Sequence, residues 1–321
     1  MVSTPNSLAI RSAVRASLAM HEAGDCVLVA ISGGADSLAL AHALSIEAPP
    51  LAIRVVGITI DHQLQSASSA QAKKVIEQLN TIGISDNEIY KVKFEISQGL
   101  EASARKARFE ALDKCAEKYG ATAIYLGHTR DDQAESVLLG LARGSGTRSL
   151  SAMAEINGKY IRPLLGITRE QTEKACEEMN LEPRKDPHNS DKQFARVRVR
   201  NLVLPNLEEN IGPGISEALA RSAYLLRDDA DALDQWAEKE IATMDLSDLG
   251  CEALVALPKA IRTRILRRAI YDAGAPSGSI NAEHVSAVEA LVTSWSGQGP
   301  AHLPGGVKVS RLSGRLSLLQ H

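Results

Sequence analysis

The chain has 321 residues, with 36 Lys+Arg against 39 Asp+Glu and a formal net charge of −3. Apolar residues make up 44% and charged residues 23%. That balance excludes a disordered chain and, at about 100–200 residues per domain, predicts two domains. The acidic total excludes nucleic-acid binding by bulk basicity, though not by a local basic patch, and 3% aromatics argue against an extended base-stacking platform.

No apolar run reaches the roughly 18 residues of a membrane span. Near the start, Arg11 and Arg15 fit an amphipathic helix with Leu8, Val14 and Leu18, so no signal peptide is expected, and the isolated cysteines read as buried apolar residues of a protein in the reducing cytoplasm. Cys26, Cys115, Cys176 and Cys251 form no C-x-x-C pair. A zinc ribbon or iron–sulfur cluster therefore has little support. Cys26–Ser32 is a buried-strand run, followed by Gly33-Gly34 and a helix from Asp36 to Glu47. Further elements are a strand at Arg54–Asp61, a helix at Ser66–Ile82, a strand at Ile89–Phe94 and a helix at Glu101–Tyr119 closed by Gly120. A strand at Ala123–Leu126 and a helix at Asp131–Arg143 complete the alternation. This rhythm predicts an α/β fold, a doubly wound and mainly parallel sheet with ligands beyond the carboxyl ends of its strands.

After Gly144 the rhythm breaks. Thr168 to Gln171 reads as a capping box opening a helix to Met179, and 180–201 is polar and basic. Helical spacing predicts a long helix over Gly214–Met244, then two more near 258–273 and 281–293. The Gly-punctuated tail reads as short strands. The expected organisation is a catalytic domain over 1–210, a connecting helix over 211–244, and a smaller, mostly helical C-terminal domain over 245–321.

Two motifs carry chemistry. Ser32-Gly33-Gly34-Ala35-Asp36-Ser37 follows the first strand. Its glycines let backbone N–H groups approach an anion, and the next helix adds a positive N-terminus. There is no Lys, so this is not a Walker A loop. A carboxylate in such a loop, Asp36, calls for a cation, and Mg2+ is the candidate. The alternative is a tight turn with serine caps. The second motif, Gly127-His128-Thr129-Arg130-Asp131-Asp132-Gln133-Ala134-Glu135-Ser136, lies at the same sheet edge. Asp132 and Glu135 share a helix face, and Asp132 is expected to share a metal with Asp36. The alternative is an ordinary capped helix start whose acids complement the dipole.

SGGADS resembles the signature of the PP-loop ATP pyrophosphatases, which adenylate a carbonyl oxygen and release pyrophosphate. GHTRDDQAES with Leu141 to Gly146 resembles the tRNA(Ile)-lysidine synthetase family. So do Leu100 to Phe109 (Phe109 replacing a usual Tyr), Ile161 to Leu165, and Asp186 to Asn189 followed by Arg196 to Arg200, with Val197 replacing an Asn. The likeness covers about residues 26–210, and the chain resembles a short form of that family. It implies a PP-loop, adenine nucleotide alpha hydrolase-like fold. It also implies adenylation by ATP of the wobble cytidine of a CAU-anticodon tRNA(Ile), then displacement of AMP by free L-lysine, with Mg2+.

The implied roles are catalytic for Asp36, His128, Asp132 and Glu135, with Asp132 and Glu135 candidates for attracting the lysine ammonium. Nucleotide binding falls to Ser32, Gly33, Gly34, Ala35, Asp36, Ser37, Ile60, His62 and Gly127. Metal binding falls to Asp36 and Asp132, and tRNA binding to Arg105, Arg108, Arg196, Arg198 and Arg200. A second basic run, Lys259 to Arg268, is either an RNA contact or a solvated helix face. No membrane partner is expected, and the oligomeric state, a homodimer included, is left open. Two alternatives stand: a related tRNA-modifying enzyme such as a 2-thiocytidine sulfur transferase, against which the missing cysteine pairs count, and a non-catalytic nucleotide-binding module.

Overall fold

The structure is a computed structural model describing residues 4–61, 68–92, 100–184, 191–276 and 278–320. The chain divides into two compact units, one of residues 1–139 with 152–221, the other of 140–151 with 222–321.

The first unit opens with α1 (Pro5–Leu18), β1 (Cys26–Ala30), α2 (Ala35–Glu47), β2 (Arg54–Asp61) and α3 (Ser68–Thr81). It continues through β3 (Asn87–Lys91), α4 (Leu100–Tyr119), β4 (Ala123–Leu126) and α5 (Arg130–Leu141). Its six-stranded sheet has β1 at the centre, paired in parallel with β2 and β4, and β3 parallel on β2. Beyond α6 (Thr147–Leu150), β5 (Ile156–Asn157) and β6 (Tyr160–Ile161) form a hairpin. Its β6 pairs in parallel with β4, and β5 closes that edge antiparallel, a pair too short to read from periodicity.

Both faces of the sheet are apolar, as a doubly wound sheet requires. Val27, Val29 and Tyr125 point into one core with Ile10, Val14, Leu38 and Leu79. Their strand neighbours Cys26, Leu28, Ile124 and Leu126 point into the other with Leu112 and Cys115 of α4. This is the period-2 alternation of a strand covered on both sides.

The capping box is present: Gln171 N donates to Thr168 Oγ1 at 3.0 Å and Thr168 N to Gln171 Oε1 at 2.9 Å, opening α7 (Arg169–Glu178). The basic stretch ends in helical turns: α8 (Ala195–Arg198), a π turn at Val199–Val203, and α9 (Leu204–Asn210). Polar and basic composition alone gives 180–201 no secondary-structure assignment. Val197 and Val199 are buried, and Val199 and Leu204 pack on Ala134 of α5, which ties these turns down. The third strand sits at Asn87–Lys91 rather than Ile89–Phe94, of which Phe94 lies outside the described residues.

α10 (Ile215–Ile241) follows, with its residues from Ser222 onward in the second unit. There β7 (Asp248–Gly250), α11 (Cys251–Ala256), α12 (Lys259–Asp272) and α13 (Ala282–Thr293) precede β8 (Ala301–His302), β9 (Val307–Leu312) and β10 (Arg315–Gln320). The strands form a four-stranded antiparallel sheet in the order β7-β10-β9-β8. Leu254, Ile261, Ile265, Val288, Val309 and Leu316 fill this unit's core. Arg262 is buried there and donates to Glu289 at 2.7 Å. Lys259 also faces Glu289, Arg264 pairs with Asp234, and Arg268 pairs with Glu238 and Asp272. At least one arginine of the second basic run is therefore core structure.

Candidate active site

The strand order reverses direction at β1, and the crevice at its carboxyl end is bordered by the segments after β1 and β4. In the first, Gly33 has φ +85°, a left-handed conformation, and a Cβ there would stand 2.8 Å from Val75 Cγ2. Glycine is demanded twice over. The loop closes on its own hydroxyls: Ser37 Oγ donates to Gly34 O at 3.0 Å and accepts from Ser32 N at 3.3 Å. The Ser32 and Ser37 hydroxyls lie 3.3 Å apart. Ala35 begins α2, so the helix N-terminus follows the loop directly.

Gly127 follows β4 and lies against this loop. A Cβ at Gly127 would meet the Asp36 carbonyl carbon and oxygen at 2.9 Å and Ser37 N at 3.0 Å. Backbone touches backbone here, which brings the two motifs into one site. Ile60 is half-buried at the end of β2, and His62 lies outside the described residues, as do Asp186 to Asn189.

Asp36 receives a hydrogen bond from Thr172 Oγ1 of α7. Burial pushes its carboxyl up to about 6, against the pull of Thr172 and Arg169. Asp132 accepts from Thr129 N at 2.9 Å and from Thr129 Oγ1 at 3.1 Å. Burial opposes its ionisation, but Arg169, the Thr129 N–H, His128 and Arg200 together hold it below the usual carboxylate range. His128 is depressed to about 4 by burial, which outweighs Asp132, with Arg162, Arg108 and Arg105 adding repulsion. Its imidazole is neutral near pH 7, and its buried Nδ1 has no hydrogen-bond partner among the described residues.

Glu135 is completely buried. It accepts from Arg200 Nε at 2.6 Å and from Arg169 Nη1 at 3.4 Å, and Arg196 Nε stands 3.7 Å away. Arg196 also donates to Ser136 Oγ at 3.0 Å. Arg200 reaches Asp132 at 3.4 Å. Arg196 and Arg200 thus join the acidic site. Arg198, one helical step aside, is exposed and donates to the carbonyls of Lys192 and Gln193, both at 2.8 Å. Arg105 is exposed, with its guanidinium 5.0 Å from the Phe109 ring centroid. Arg108 lies 5.5 Å from the same ring, and burial lowers it to about 10, with Arg105 and Arg196 adding repulsion.

Sequence reasoning missed Arg169 and Thr172. Arg169 lies 3.1 Å from Asp132, 3.4 Å from Glu135 and 3.8 Å from Asp36. Its backbone N–H donates to Asp131 at 2.8 Å, and Arg130 N donates to Ile167 O at 2.8 Å, which docks the start of α7 on the start of α5. The capping box did signal that a helix begins at Arg169. Nothing local says which helix it meets. A cleft of about 180 Å³ beside these groups is lined by Asp131, Glu135, Arg169, Arg200, Glu208 and Ser216, among others.

Residues 9–207 match the profile of the PP-loop domain, and 249–317 that of the TilS substrate binding domain. A tRNA(Ile)-lysidine synthase of Streptomyces coelicolor is 52% identical over 299 residues, covering 92% of this chain and 85% of that protein. One from Thermobifida fusca is 50% identical over 309 residues, covering 96% of this chain and 95% of that one. The chain belongs to the tRNA(Ile)-lysidine synthase family.

Among solved structures, the U34-tRNA thiolase NcsA from Methanococcus maripaludis, with its 4Fe-4S cluster, superposes with a TM-score of 0.59. It is 19% identical, over 69% of this chain and 79% of that one, a likeness of fold. In this family member the four cysteines are free and buried, and no His, Cys, Asp and Glu side chains group as three or more metal ligands among the described residues. The sulfur-transfer alternative is not favoured. Nor does any described helix have the length and apolarity to cross a membrane.

Proposed function

We propose that this protein is an ATP-dependent carbon–nitrogen ligase that adenylates the wobble cytidine of CAU-anticodon tRNA(Ile). It then joins lysine to that base, forming lysidine and releasing AMP and pyrophosphate. The observation that carries this reading is the backbone contact of Gly127 with Asp36. It unites an anion-binding loop and an acidic cluster in a chain about half identical to named lysidine synthases.

The chain's own groups divide the work. The backbone N–H groups and hydroxyls of the Ser32–Ser37 loop, with the α2 N-terminus, hold the departing pyrophosphate. Ile60 borders the nucleotide at the neighbouring strand end, and the nucleotide role of His62 rests on the sequence alone. Asp36 and Asp132 both face Arg169 within 4 Å. Two carboxylates aimed at one positive charge, beside a phosphate loop, are a hard-oxygen donor set that fits Mg2+ completed by ATP phosphates. Those two residues would hold the ion, which when bound neutralises the phosphate charge that builds as pyrophosphate leaves. His128, neutral and next to the Gly127 that faces the phosphate loop, is suited to accept or orient a proton of the extruded base.

Lysine is a zwitterion with a second ammonium, and it needs both signs of charge. The cleft with Asp131, Glu135, Arg169 and Arg200 offers both. Glu135, enclosed by arginines, acts chiefly by aiming Arg196 and Arg200, and Asp132 supplies negative charge towards the amine. Arg105 and Arg198, being exposed, are placed to meet tRNA phosphates, and Arg108, Arg196 and Arg200 to hold the anticodon nucleotide closer in. The domain of 245–321, preceded by the 211–244 helix, takes the recognition of the tRNA body, and the 1–210 domain the chemistry.

The test is incubation of the protein with ATP, Mg2+, radiolabelled lysine and CAU-anticodon tRNA(Ile). Label enters the tRNA and depends on all components. Absence of label, while ATP still binds, refutes the assignment.

A further inference from the structure

Among the described residues, Arg169 is the one site residue that contacts carboxylates from two different elements and belongs to a third. Its guanidinium faces Asp36 of α2 and both Asp132 and Glu135 of α5, and its side chain is only 20% exposed. Three carboxylates converging on one point repel one another, and a cation at that point is what lets them stay together. The backbone is fixed independently of the side chain. The Thr168–Gln171 capping box, the Arg169 N–H on Asp131 and the Thr172 hydroxyl on Asp36 all anchor the first turn of α7. The guanidinium can therefore swing while its helix stays in place.

We propose that Arg169 is an internal counter-ion which fills the cation position between Asp36 and Asp132 before nucleotide binds, and which the divalent ion arriving with ATP displaces. Its five donors remain in the site after displacement, beside the phosphate loop, where a phosphate oxygen is the natural new partner. One consequence is ordered binding. The free metal ion alone cannot compete with a tethered guanidinium held by three carboxylates, whereas a metal–ATP complex brings phosphate contacts that offset the exchange. This inference rests on the reading of Asp36 and Asp132 as metal ligands.

The experiment measures Mn2+ binding to the nucleotide-free protein at pH 8 by electron paramagnetic resonance, for wild type, Arg169→Met, Arg169→Gln and Arg169→Lys. Circular dichroism confirms the fold, and the Gln variant covers failure of the Met variant. The expected result is a gain of at least tenfold in Mn2+ affinity for the Met or Gln variant, none for the Lys variant, and loss of the gain when Asp36→Asn is added. Unchanged Mn2+ affinity in a folded Met or Gln variant overturns the proposal. So does a gain that survives Asp36→Asn. The underlying metal reading is checked separately by Mn·ATP binding to the Asp36→Asn single variant. Undiminished affinity there refutes the ligand assignment itself, whereas weakened Mn·ATP affinity together with no gain in the Arg169 variants refutes only the counter-ion.

Discussion

Replacing Gly127 by Ala separates the loop contact from every other feature of the site. The new Cβ would lie 2.9 Å from two backbone atoms of Asp36 and 3.0 Å from Ser37 N, where ordinary contact starts at 3.4 Å. The shortfall of about 0.5 Å cannot be absorbed by a rotamer change, because the opposing atoms are main chain in the first turn of α2. Gly127 does not have a positive φ, so the penalty is steric rather than torsional. Overpacking of this kind costs about 1–3 kcal/mol. It also moves Asp36 and the phosphate loop relative to His128 and Asp132, and misplacement approaching 1 Å costs on the order of 100-fold in rate. The expected outcome is a stable but weakened protein whose ATP-dependent lysine incorporation falls by about 10- to 100-fold, with urea denaturation giving the stability loss. Gly299→Ala is the control, since a Cβ there meets nothing within 4 Å. Wild-type activity and stability in Gly127→Ala would refute the claim that the two motifs form one site through backbone contact.

Two other substitutions read out electrostatics. Asp36→Asn should lose activity yet gain stability at alkaline pH. The wild-type carboxyl is raised from 3.8 to about 6 on folding, so its contribution is complete below pH 3.8 and is lost as pH climbs through 6. Above pH 7 the ionised group costs about 1–3 kcal/mol, so the variant's advantage should grow between pH 5 and pH 8 in denaturant titrations. An advantage equal at both would refute the burial argument. In the second unit, Glu289→Ala strands the buried Arg262, which now donates to it at 2.7 Å. A loss of about 3–5 kcal/mol is expected, seen as a lower thermal midpoint. Arg262→Met with Glu289→Leu should recover most of it, and a neutral single variant would mean the pair is not part of that core.

Much of this was open to sequence reasoning. The strands at Arg54–Asp61 and Ala123–Leu126 were expected with these same bounds, because apolar runs covered on both faces and bounded by turn residues have few other outcomes. The Thr168 capping box was equally local. The first motif implied an anion site because two glycines, hydroxyls and a helix start are contiguous. Tertiary structure decided what those parts meet. It joined Gly127 to Asp36, 91 positions apart in the numbering, and placed Arg169 among three carboxylates. It also sorted the basic runs, sending Arg200 to Glu135, Arg198 to main-chain carbonyls and Arg262 into a core. Helical periodicity and turn chemistry depend on neighbours within a few residues, so sequence determines them directly. Which carboxylate an arginine finds depends on how helices dock across a sheet, and that is settled only when the whole unit packs.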